Sequence, residues 1–204
     1  MPESIELINS RFFENYYKEI YSINKQVYSI ANSKSATSIW LTSKKQYNLD
    51  RFINLSADDF NLLLNYIPPY MLIVTPRIEP ADFIQGLQVI RSQDYSTHAI
   101  YRQHRNQTRV LDDFNNEFWE LFYNILKNHP SLLAVTFGMS KELISLISDT
   151  VTYYFELQKI ITESFCPTYI LRINTPTIEE LHQAKTNRFH ATKIAANFAI
   201  SAAL

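Results

Sequence analysis

Apolar residues recur at every third or fourth position through the first thirty residues of the chain, which predicts one long amphipathic helix. The repeating positions are Ile5, Ile8, Phe12, Tyr16, Ile20, Ile23, Val27 and Ile30. Further aromatic residues at Tyr17, Tyr21 and Tyr28 widen the apolar side, and tyrosine is a residue that interfaces favour. We therefore expect these three tyrosines to bind a partner protein. The alternative is that they pack against the rest of this chain.

Shorter helices and three apolar, β-rich runs follow along the chain. Helices are predicted over 57–66, 80–91, 112–127 and 151–163, and from Thr175 to the chain end. Strands are predicted over 38–43, 70–75 and 168–173. The pattern indicates a mainly α protein, of α+β type, with a small sheet of short strands. The chain then consists of two regions or forms one continuous domain. The two regions would be a helical N-terminal region with short strands, 1–110, and a helical C-terminal region, 111–204.

The region 131–149 has the spacing of a helix-turn-helix-like corner. Ala134 lies four residues before Gly138, and Ile144 lies six residues after it. The alanine allows close helix approach, the glycine allows a sharp turn, and the isoleucine begins the buried face of the second helix. Residues predicted to be buried are Leu133, Phe137, Met139 and Ile147, and those predicted to face outward are Lys141, Glu142, Ser145 and Ser148. The corner suggests a regulatory or interaction module and does not identify its ligand.

Composition removes several classes of function. Nineteen basic and twenty acidic residues give a net charge of -1, so the molecule as a whole has no strong attraction for nucleic acid or an anionic membrane. The single cysteine, Cys166, and the scattered histidines predict no metal site, and two glycines are too few for a phosphate loop. No catalytic motif is present, so we expect a non-enzymatic protein without a cofactor. The absence of a signal peptide or a long apolar run favours a cytoplasmic location without membrane insertion.

Positive charge is concentrated at Arg102, Arg105 and Arg109, which would share one face of a helix. With Lys141 and Ser145 of the corner, these arginines are the candidate contacts to nucleic acid. The alternative is that acidic residues beginning at Asp112 pair with the arginines within the fold. Because the outward face of the corner is slightly acidic, we expect DNA contact only within a complex.

The last eleven residues, IAANFAISAAL, contain no charge. A helix that is apolar on all sides is normally covered on all sides, so Ile194 and Phe198 are predicted to contact the core or a partner protein. The alternative is a frayed, alanine-rich terminus.

The order of features from about Asn116 onward resembles the flagellar regulator FlhD and related regulators. The matching segments are NEFWELFYNIL, FGMSKELISLI, YILRI and TIEEL. This resemblance covers less than half of the chain. It implies a mostly helical fold and an oligomer whose second subunit supplies much of the DNA contact. It also implies that Gly138, Ser140, Lys141 and Ser145 face DNA or that partner.

Two functions agree with these observations. The chain is either a regulatory subunit similar to FlhD that acts in a complex, or a cytosolic adaptor or chaperone of a bacterial secretion system that holds a helix or an extended segment of another protein. A hetero-complex and a homo-oligomer are both open. A positive stripe over 102–109 and 141 would favour the regulator, and an apolar groove without such a stripe would favour the adaptor.

Overall fold

The structure is a computed structural model that describes residues 5–33, 40–43, 46–92, 109–164, 168–173, 180 and 182–183. These ranges contain eight α-helices and three short strands, which confirms the prediction of a mainly α protein with a small sheet. The elements are α1 (Ile5–Asn32), β1 (Leu41–Ser43), α2 (Gln46–Ile53), α3 (Ala57–Leu64), β2 (Val74–Pro76), α4 (Pro80–Ser92), α5 (Arg109–Asn128), α6 (Leu133–Phe137), α7 (Lys141–Thr150), α8 (Tyr154–Ser164) and β3 (Tyr169–Leu171). A 3-10 turn, Pro130–Leu132, precedes α6.

The chain forms two compact units. Unit 1 comprises Met1–Thr75 together with Ile170–Leu204, and unit 2 comprises Pro76–Tyr169. The three strands pair in the order β1-β3-β2, so the strand nearest the C-terminus lies in the middle of the sheet. Sequence periodicity does not show this non-local pairing. The boundary predicted between residues 110 and 111 therefore differs from the boundaries of the units, which lie between residues 75 and 76 and between residues 169 and 170.

The core of unit 1 joins α1 to the segment that leads into β2. Ile20, Ile23 and Val27 form the buried row of α1. Asn24 lies in the same row with only 3% of its surface exposed. Its side-chain amide donates to the carbonyl of Met71 at 3.0 Å, and its amide oxygen accepts from the backbone N–H of Ile73 at 2.9 Å. A polar side chain is stable here because both of its ends are bonded.

The arginine of the YILRI segment also belongs to unit 1. Its guanidinium donates to the carbonyl of Leu72 at 3.0 Å, and its backbone N–H donates to Ile73 at 2.8 Å. Burial lowers the pKa of Arg172 to about 10, so the group remains charged at neutral pH. The partly buried guanidinium, bonded to the carbonyl of Leu72, holds the end of β3 against the 71–73 segment.

Aromatic rings form the core of unit 2. Phe118 and Phe122 of α5 each contact Phe137 edge to face, with ring centroids 5.1 and 5.2 Å apart. Tyr169 packs on Phe118 at 5.1 Å, and its hydroxyl donates to Asn115 at 2.6 Å. Helix α8 packs against both α4 and α5. Edge-to-face pairs of this kind stabilise the folded state by more than the burial of their apolar area alone would provide.

Most predicted helices agree with the structure, and three details need correction. Residues 70–73 of the predicted strand 70–75 are not strand, and only Val74–Pro76 pairs. Helix α5 begins at Arg109 and not at 112, so Asp112 lies in its first turn. The short helix α2 was not predicted. Ser56 caps α3, because the backbone N–H of Asp59 donates to its hydroxyl oxygen at 3.1 Å.

Among the described residues, none of the helices combines the length and apolar character that crossing a membrane would require. The expected cytoplasmic location remains a prediction.

Candidate protein-binding surface

The helix-turn-helix-like corner has the geometry that its sequence predicts. Gly138 adopts the left-handed conformation, with φ 65° and ψ 24°, and its N–H donates to Ala134 at 2.9 Å. Ser140 then caps α7 by accepting from the N–H of Leu143 at 3.2 Å. Leu133, Phe137, Met139 and Ile147 are buried, and Lys141, Glu142, Ser145 and Ser148 are exposed, as predicted. The corner is therefore a structural feature of unit 2.

The exposed face of α7 offers little to a phosphate group. It carries Lys141 together with Glu142 and Asp149, so its charge is slightly negative. The hydroxyl of Ser145 donates to the Asp149 carboxylate at 3.3 Å. Ser145 is one of the two residues of this helix that were predicted to contact nucleic acid, and its hydroxyl proton is thus already used. Since phosphate contacts supply much of the affinity for DNA, α7 alone is a poor DNA reader.

The tyrosines of α1 separate into two groups. Tyr17 is 45% exposed and stacks on Tyr21 with ring centroids 6.1 Å apart. The ammonium of Lys25 lies 4.7 Å from the centre of the Tyr21 ring. Tyr17 is thus exposed and Tyr21 is half-buried beside it on unit 1, and their contact with a partner protein stays a prediction.

Tyr28 is used inside unit 1. Its ring stacks on Phe60 at 4.1 Å and meets Phe52 edge to face, and its hydroxyl donates to the carbonyl of Leu55 at 2.7 Å. Both the ring and the hydroxyl have partners within the chain. Tyr28 therefore packs internally, and its predicted contact with a partner protein is wrong.

The most exposed large hydrophobic side chains of the described residues are Tyr153 and Phe155, at 57% and 63%. Their rings stack on one another, with centroids 5.7 Å apart and an interplanar angle of 13°. We refer to these two residues as the Tyr153–Phe155 pair. Sequence reasoning missed it, although a signal was present. The apolar row of α8 includes Leu157, Ile160 and Ile161, and Phe155 falls on the opposite side of that helix.

The backbone under the Tyr153–Phe155 pair is held by side chains. The carboxylate of Glu156 accepts from the N–H groups of Thr152 and Tyr153 at 2.8 and 3.0 Å, which caps the start of α8. The hydroxyl of Tyr123 on α5 donates to the carbonyl of Thr152. The pair therefore projects from a fixed turn.

Tyr154 connects this turn to α5 from the buried side. Its hydroxyl donates to the carbonyl of Asn116 at 3.1 Å, and its ring lies 5.8 Å from that of Tyr123. Burial, followed by the negative charge of Glu120, raises the pKa of Tyr154 above its ordinary value. The phenol is therefore neutral at physiological pH and acts as a structural hydrogen-bond donor.

Four of the predicted site residues, Arg102, Arg105, Ile194 and Phe198, lie outside the described residues. Arg109 begins α5, and its side chain also lies outside them. Within the described ranges, no group of three histidine, cysteine, aspartate or glutamate side chains is placed to hold a metal ion.

Comparisons with the models of known protein families, with curated proteins and with solved structures give no match to this chain. The likeness to FlhD therefore depends on the segments quoted above and stays a hypothesis.

Proposed function

We propose that this chain is a non-enzymatic, cytoplasmic protein-binding module that acts as a subunit of a complex. The observation that supports this function best is the exposed Tyr153–Phe155 pair. Two large rings in contact with water cost free energy that a partner protein would recover by covering them, about 1.5–3 kcal/mol for each fully buried ring.

The setting of the Tyr153–Phe155 pair favours binding over mere exposure. Aromatic side chains dominate the binding energy of many interfaces, and they lose little entropy when they are already ordered. Here the two rings are stacked and their backbone is capped by Glu156. The turn therefore presents a preformed anchor.

Of the two functions open from the sequence, we favour the adaptor, because exposed aromatic side chains suit a protein ligand better than a phosphate backbone. The regulatory subunit remains the second candidate. The left-handed Gly138 and the capped α7 agree with a helix-turn-helix-like corner, and the acidic face of α7 then requires a partner to supply positive charge for DNA.

Photo-crosslinking in the native host tests the proposal. A photoreactive phenylalanine analogue at position 155 should crosslink one reproducible protein, identified by mass spectrometry. The matched control places the same analogue at Ser148, an exposed position on α7. The double variant Tyr153→Ser, Phe155→Ser should lose that protein in affinity purification, whereas Ser148→Ala should retain it. Equal capture by the double variant and the wild type would contradict binding through this surface.

A further inference from the structure

We draw no further inference here: the strongest candidate, the surface patch on α1 where Tyr17 stacks on Tyr21 and the ammonium of Lys25 lies over the Tyr21 ring, carries no proposal because nothing in the structure shows what covers it.

Discussion

Single residues carry two of the features that define this molecule. Gly138 supplies a left-handed backbone that other residues adopt only at a cost, and Asn24 supplies hydrogen bonds that an apolar core residue cannot make. Both effects can be measured as changes in the free energy of unfolding.

Replacing Gly138 by valine should destabilise the protein by about 1–3 kcal/mol, because a β-branched side chain clashes with the backbone at φ 65°. Chemical denaturation measures the change. Gly138→Asn is the matched control and should cost less, since asparagine tolerates the left-handed region. Equal stability of the valine variant and the wild type would be incompatible with the turn as described.

Replacing Asn24 by leucine should destabilise the protein by about 2–4 kcal/mol. The change leaves the N–H of Ile73 and the carbonyl of Met71 buried without their present bonds, and each such group costs about 1–3 kcal/mol. Asn32→Leu, at an exposed position of the same helix, should have little effect. Similar unfolding curves for the two variants would remove Asn24 from the role described.

At the scale of elements, removing a helix cap should lower the stability of the protein, whereas removing an exposed ring should leave it almost unchanged. Ser140→Ala removes the acceptor for the N–H of Leu143 and should cost about 1 kcal/mol. Ser148→Ala, in the last turn of the same helix and exposed, should be nearly neutral. Thermal unfolding followed by circular dichroism distinguishes the two. A cap variant as stable as the control would mean that α7 does not depend on Ser140.

The Tyr153–Phe155 pair should contribute little to folding. Phe155→Ala is expected to change the free energy of unfolding by less than about 0.5 kcal/mol, because the side chain is 63% exposed. Phe118→Ala, a fully buried ring of similar size, should cost about 3–5 kcal/mol. Denaturation in urea compares them. A large loss for Phe155→Ala would make its ring structural instead of available to a partner.

Local chemistry explains which elements could be predicted from the sequence. The corner depends on neighbouring residues, namely a glycine that turns the chain and a serine that caps the next helix, so its buried and exposed positions were predicted correctly. The eight-residue α2 has no long periodic pattern, and for that reason no helix is predicted there from the sequence. Met71 and Ile73 bond with Asn24, almost fifty residues away, which no local pattern reveals.

The candidate site divides in the same way. Tyr17 and Tyr28 lie eleven residues apart on one predicted helix, and their sequence contexts look alike. Only the fold shows that Tyr28 stacks on Phe60 while Tyr17 is exposed. The exposed side of α8 could have been read from its apolar row, which lies opposite Phe155, whereas the stacking of Phe155 on Tyr153 is seen only in the fold.

At the scale of the whole molecule, net charge governs the response to nucleic acid. With a net charge of -1 and an acidic α7 face, the isolated protein should bind DNA only weakly and with a steep loss of affinity as salt increases. Fluorescence anisotropy with labelled duplexes between low and physiological salt measures this. Tight, sequence-specific binding by the chain alone at physiological salt would favour the regulatory subunit over the adaptor.

The strand order β1-β3-β2 sets the sequence of events while the ribosome makes this protein. Nearly all of unit 2 leaves the ribosome before β3, and one hundred residues separate Arg172 from the Leu72 carbonyl that it binds. The N–H of Arg77 donates to Thr168 at 2.7 Å, so the two ends of unit 2 also come together only when the residues that lead into β3 have been made. Until β3 is synthesised, β1 and β2 have no strand between them, so the sheet cannot close while only the first 75 residues have been made.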